Sequence, residues 1–210
     1  MPLTLKVDPS WMSLDVFHAM VALEEKGLPY KQEVVPSPIP DDVKPALEAN
    51  GVLAALPMLV HDDFSFTGAI AISEYLAERF PIPDHPRIFP ADLAQRARSR
   101  QVMYWLRSSF TAFYADRPTS NVFGRPTVRQ LTLAGKAEAM ELLRVAEALV
   151  KPKQTQLFDN WCIADADLAL ALMRLIGSQD NVPQHLVEYS LAQWDRRSIK
   201  RFVAHVPTTP

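Results

Sequence analysis

A proline set inside an apolar run limits what this chain can fold into more than any other feature. The run is Val52-Leu53-Ala54-Ala55-Leu56-Pro57-Met58-Leu59-Val60. Pro57 has no N–H to give a sheet ladder, so in a strand-like stretch it marks a first residue, an edge or a bulge. It stands just ahead of Met58-Leu59-Val60, where a strand is expected to begin. His61-Asp62-Asp63 reads as a polar turn, and Phe64-Ser65-Phe66 as a short returning strand. Gly68-Ala69 then opens an apolar helical stretch from Ile70 to Phe80. Such a unit presents peptide groups at two neighbouring points, Leu56 ahead of the proline and the start of the helix. It is suited to hold a small ligand through its backbone.

Upstream, Leu3-Thr4-Leu5-Lys6-Val7 alternates and predicts a first strand. Leu14, Phe17, Val21 and Leu23 follow helical spacing after Ser13, and Lys26-Gly27 supplies a basic last turn and a terminating glycine. Tyr30 to Val35 predicts a second strand, parallel to the first across that helix. Pro36 to Pro40 is a rigid loop, and Asp41 to Ala49 holds one or two helical turns. The order is β-α-β, then β-β-α: a mixed four-stranded sheet with helices packed on it. Pro81-Ile-Pro-Asp-His-Pro86 reads as a linker. Beyond it the period is helical over Pro90 to Tyr114, Thr132 to Val150, Asp165 to Ile176, and Pro183 to about Phe202 in one or two pieces. Asn121 to Pro126 and Lys151 to Thr155 read as loops. The expected organisation is an α/β domain over 1–81, a linker over 82–89 and an all-α domain over 90–210.

Charge and cysteine usage narrow the function classes. A net charge of −2 over 210 residues gives no pull toward nucleic acid or an anionic membrane. No apolar run approaches membrane-spanning length, and the first residues lack a secretory pattern. The single cysteine, Cys162, excludes an intramolecular disulfide and any multi-cysteine metal site. A cytoplasmic protein is expected, with no nucleic-acid, membrane or metal partner. His61-Asp62-Asp63 is read as a solvated turn rather than a metal site, and His18 as a satisfied histidine rather than a base. Arg96-Ala-Arg-Ser-Arg100 is read as a solvated face or a dimer-contact stripe.

Three motifs stand in a telling order: Val21-Ala-Leu-Glu-Glu-Lys-Gly-Leu-Pro-Tyr30, Leu56-Pro57-Met58-Leu59, and Cys162-Ile-Ala-Asp165 with Asp167-Leu-Ala-Leu. Ala71-Ile-Ser-Glu-Tyr-Leu76 adds a fourth. With this order the chain resembles the cytosolic glutathione transferase family, across nearly its whole length. The resemblance implies a thioredoxin-like N-terminal domain, a helical C-terminal domain and a cis bond before Pro57. It implies glutathione as co-substrate, seated on Leu56, Pro57, Gly68, Ala69 and Ile70. It places Ser13 at the position that activates the thiol, with Ser10 as a nearby rival. It also gives Tyr104 and Phe110 to a pocket for a small hydrophobic electrophile. A homodimer is implied, with the Ile70-to-Phe80 and Pro90-to-Tyr114 helices at the contact.

The chemistry implied is thiol activation. A free thiol with a pKa near 8.5 is only about 3% thiolate at pH 7, whereas a pKa of roughly 6.5 gives about three-quarters. That shift asks about 2.7 kcal/mol of differential stabilisation, within reach of a hydroxyl donor and a helix N-terminus. Ser13 can instead serve as an N-cap, accepting from the amide of Asp15 or Val16. A serine there disfavours thiol–disulfide exchange. Cys162 replaces the Ser/Thr of the family's capping box between apolar Trp161 and Ile163, and reads as a buried structural thiol. The chain departs from the family at two places: Gly68-Ala69 stands for Glu/Gln-Ser, and Ala54-Ala55 for basic residues. A non-catalytic or altered-ligand binding protein on the same fold is therefore the alternative.

Overall fold

Alternation in the first strand decides how the sheet packs. The computed structural model describes residues 2–49, 51–126 and 129–206. In β1 (Leu3–Val7) the side chains of Leu3, Leu5 and Val7 are buried, while Thr4 and Lys6 lie on the opposite, half-exposed face. β2 (Tyr30–Val34) pairs parallel to β1, with Leu3 opposite Tyr30 and Val7 opposite Val34. β3 (Met58–His61) runs antiparallel on the other side of β1, and β4 (Phe64–Thr67) closes a hairpin onto β3. The strand order is β2-β1-β3-β4, the mixed four-stranded sheet expected.

α1 (Leu14–Glu25) is buried without a break from Val16 to Leu23, as a helix sandwiched against the sheet must be. α3 (Ala69–Arg79) buries Ala69, Ile72, Ser73 and Leu76, an i, i+3, i+4, i+7 stripe, and packs on α1. The short α2 (Lys44–Ala49) buries no residue. The proline-rich stretch after α3 groups with this first unit, which comprises the chain up to Ile88 together with His205 and Val206. Lys26 organises it. Lys26 is 2% exposed; its ammonium donates to the carbonyls of Phe80 and Pro86, the latter at 2.9 Å, and His85 Nδ1 donates to the Lys26 carbonyl at 3.1 Å.

The second unit, Phe89 to Ala204, is helical. Its helices are α4 (Leu93–Ser108), α5 (Thr111–Asp116), α6 (Ser120–Phe123), α7 (Leu133–Leu149), α8 (Ile163–Gly177), α9 (Gln184–Trp194) and α10 (Arg197–His205). α8 is the core, buried continuously from Ile163 to Leu172. Two boundaries differ from the sequence expectation. The helix predicted over Pro90 to Tyr114 breaks at Phe110, whose φ/ψ of −127°/39° is not helical. The break is stabilised by distant groups. The Leu106 carbonyl, which a continuing helix would bond to the Phe110 amide, accepts from the Tyr114 hydroxyl at 2.7 Å, and the Phe113 amide donates to Glu138 Oε2 at 2.8 Å. The segment read as a loop from Asn121 holds part of a single helical turn, α6. Among the described residues no helix is long and apolar enough to cross a membrane.

Candidate functional site

Strand register gathers the relevant segments at one end of the sheet. Lys6, near the end of β1, pairs with Met58, the first residue of β3, and Met58 pairs with Thr67, the last of β4. The Val35 amide donates to the Val7 carbonyl at 2.9 Å, so β2 ends there as well. The loop carrying Ser13, the Leu56–Pro57 bond, the start of α3 and the proline-rich 36–40 loop therefore all leave the sheet at this end. A cavity of about 240 Å³ opens beside the 36–40 loop and Leu56, walled by Val35, Ile39, Leu47, Leu56 and Met58; neither the Ser13 loop nor α3 lines it. A Lys6–Glu33 ion pair at 3.2 Å also borders it.

Of the two serines, only one has a proton to give. Ser10 Oγ donates to Asp8 Oδ1, which also takes the Ser10 amide at 2.9 Å, and the Met12 amide donates to the Ser10 oxygen at 3.3 Å. Its hydroxyl is spent on folding the loop. Ser13 is the N-cap of α1, and its Oγ accepts from the Val16 amide at 2.9 Å. Accepting leaves its O–H uncommitted: among the described residues it donates to nothing. The cap and the donor role are thus compatible, and the cap fixes the position of the oxygen. Trp11 holds the loop from within, 6% exposed, with a left-handed φ of 59°, and its ring packs 5.3 Å from that of His205.

Leu56–Pro57 is cis, as the family resemblance implied. The Pro57 carbonyl accepts from the Gly68 amide at 3.3 Å, which ties the proline to the start of α3. The Leu56 N–H and C=O, by contrast, have no partner among the described residues. Gly68 is the N-cap of α3 at φ 98°, a conformation L side chains rarely adopt, and no side chain caps that helix. The amides of Ala69 and Ile70 lead this uncapped N-terminus, where helix geometry favours an anion. One buried polar pair, not legible in the sequence, locks these parts together. Ser73 Oγ donates to the Ile70 carbonyl at 2.9 Å, so His18 Nε2, also at 2.9 Å from that oxygen, must be the donor to it. His18, fully buried, joins the helix that Ser13 caps to the helix that Gly68 opens.

The other sequence candidates differ in exposure. Tyr104 stands on the outer face of α4, 73% exposed. Phe110 is 1% exposed, edge-on to Trp105 at 4.8 Å and packed with Phe113 and Tyr114. His61 is buried, hydrogen-bonded through Nδ1 to the Tyr75 hydroxyl at 2.7 Å. Cys162 is fully buried, and burial pushes its thiol far above the ordinary range, with Asp165 adding to the effect. A disulfide-exchange reagent is accordingly expected to leave the folded protein unlabelled and to titrate one thiol in denaturant. Prompt labelling without denaturant would contradict this placement.

Comparison with known proteins agrees with this geometry. Residues 16–86 match the family model for the N-terminal domain of glutathione S-transferases, and residues 92–207 match the model for their C-terminal domain. A glutathione transferase homologue from Burkholderia, solved with bound glutathione, is 31% identical, with a TM-score of 0.76 over 97% of both chains. Glutathione S-transferase U13 of Arabidopsis thaliana is 30% identical over 97 residues, which is 46% of this chain but only 42% of the plant protein. A stringent starvation protein A homologue from Pasteurella multocida is 29% identical over 160 residues, 74% of this chain and 67% of that protein.

Proposed function

The chain belongs to the glutathione S-transferase family, and from that premise we propose that it binds glutathione and transfers its thiolate to a small hydrophobic electrophile. The observation that carries this reading is the unpaired Leu56 peptide beside an uncapped helix N-terminus and the uncommitted Ser13 hydroxyl. The Leu56 N–H and C=O would bond the cysteinyl peptide unit in the manner of an added strand. The Ala69 and Ile70 amides would take a carboxylate. Ser13 would donate to the sulfur and hold it as thiolate. Tyr104, which is exposed, is proposed on the electrophile side, and Phe110, 1% exposed, only as support for the aromatic packing of Trp105. A cytoplasmic homodimer is proposed with them.

Backbone recognition without charged side chains costs affinity. Each charge-assisted hydrogen bond lost is worth about 1.5–3 kcal/mol, or roughly 10- to 150-fold in Kd. With Gly68-Ala69 and Ala54-Ala55 in place of the family's anchors, a site that would be micromolar moves toward millimolar. The second reading, a non-catalytic or altered-ligand binding protein whose glutathione site is eroded, draws on the same departures. A thermal-shift titration separates the two. At ten times Kd, glutathione adds about 1.4 kcal/mol of stability, which raises Tm by about 3–5 °C for a chain of this size. That rise at 10 mM glutathione, absent with its disulfide-blocked or amidated forms, is the expected result. A flat response at 10 mM sinks the transferase reading.

A further inference from the structure

Resting on the thiolate role of Ser13 given above, we propose that Trp11 and His205 are positioning residues for that serine. Their rings form a clasp that holds the 8–12 loop in the conformation presenting the Ser13 hydroxyl. Asp8 folds this loop on itself. Its carbonyl accepts from the Trp11 amide at 3.4 Å, and its Oδ1 accepts from the Ser10 amide at 2.9 Å. The chain leaves the turn through Trp11, at a φ of 59°.

A left-handed φ suits glycine or asparagine and disfavours a bulky L residue by roughly 5- to 30-fold. The position nevertheless holds a tryptophan. Strain of this kind persists only where the surroundings overdetermine it. Met12 alone stands between Trp11 and Ser13. A return of Trp11 to negative φ would swing the backbone that follows. Either the bond from the Met12 amide to Ser10 Oγ, at 3.3 Å, or the cap bond from the Val16 amide to Ser13 Oγ, at 2.9 Å, would then break.

What opposes the strain comes from the far end of the chain. The Trp11 side chain is buried, and the ring against it is that of His205, 5.3 Å between centroids and tilted by 30°. His205 is itself exposed, whereas Val206 beside it is buried. The imidazole therefore covers the indole from the solvent side, with the valine as its anchor. Both residues group with the first unit, as Trp11 and Ser13 do. An aromatic pair at this separation is worth roughly 2- to 10-fold in a conformational equilibrium, the same order as the strain it offsets. Removing the outer ring thus tips the loop away from its left-handed turn.

Amide hydrogen exchange on the ligand-free chain and the pH dependence of glutathione conjugation provide the test. His205→Ala should speed exchange of the Trp11 and Met12 amides by roughly 5- to 30-fold. It should also raise the bound thiol's pKa by about one unit, with glutathione affinity and Tm nearly unchanged. His205→Phe, which restores a ring, should return both readouts to the parent's values. Trp11→Asn keeps a residue at ease with left-handed φ but removes the indole. Adding His205→Ala to it should change neither readout further. Unaltered exchange in His205→Ala, no restoration by His205→Phe, or a further loss in the double variant would each overturn the assignment. So would an unaltered thiol pKa in His205→Ala beside a raised one in Ser13→Ala. An unaltered thiol pKa in Ser13→Ala would sink the thiolate role itself, and this assignment with it.

Discussion

Asp165→Ala is expected to lower the unfolding free energy by about 3–5 kcal/mol. Asp165 is fully buried at the third position of α8 and accepts three hydrogen bonds. The donors are the Leu157 amide at 2.7 Å, the Cys162 amide at 2.9 Å and the Tyr189 hydroxyl at 2.8 Å. They come from the preceding loop, the helix N-cap and α9, so one carboxyl joins three segments of the second unit. Burial pushes that carboxyl above its ordinary range, and the donors oppose the shift. Removing it leaves three buried donors without an acceptor, each worth roughly 1–3 kcal/mol. Asp165→Asn keeps the shape but turns an amide donor toward the Cys162 N–H, and about 2 kcal/mol is expected. Tyr189→Phe removes one donor and should cost about 1 kcal/mol. The check is the urea midpoint at unchanged m. A loss under about 1 kcal/mol for Asp165→Ala would show that the network does not hold the unit together.

On the transferase reading, Ser13→Ala is expected to reduce conjugation at pH 7 by up to about 25-fold, the limit if the hydroxyl supplies the whole shift, while leaving glutathione affinity nearly unchanged. The figure follows from returning a thiol with pKa near 6.5 to its free value near 8.5, which takes the thiolate from about three-quarters to about 3%. The pH–rate profile should move up by as much as about two units, and the two proteins should converge above pH 9. Ser13 also caps α1, so the alanine variant should lose about 1 kcal/mol of stability as well. Ser13→Asp separates the roles. It keeps an acceptor for the Val16 amide but supplies no donor and sets a negative charge beside the sulfur. Its stability should match that of the parent, and its turnover should fall below that of the alanine variant. A Ser13→Ala profile that superimposes on the parent's would take Ser13 out of the chemistry.

The strands were readable because their signal is local. Leu3, Leu5 and Val7 alternate with Thr4 and Lys6, and alternation alone tells which face is buried. α1 announced itself through Leu14, Phe17 and Val21 and ended at Lys26-Gly27, and the structure ends it at Glu25. The Ser/Thr-like box at Cys162 pointed to α8, whose N-cap bond from the Cys162 amide to Asp165 is there. The break at Phe110 carried no such mark. No glycine or proline stands near it, and what stabilises it is a tyrosine four residues on and a glutamate on another helix. Tyr104 and Phe110 fall in one stretch of helical period in the sequence, and in the structure Tyr104 is exposed while Phe110 lies in the core.

For the candidate site, the family resemblance proposed Ser13, Leu56, Pro57 and Gly68, and their local roles as N-cap, cis bond and helix start were legible because such residues act on their own backbone and need no partner. Which serine keeps a free proton did not follow from order, since it depends on Asp8 turning its carboxylate onto Ser10 and not onto Ser13. Nor did the bond from His18 to Ser73, which lies across 55 positions of chain. Hydrogen bonds of that reach are settled by how helices stack, and stacking depends on every side chain in the contact rather than on any short stretch.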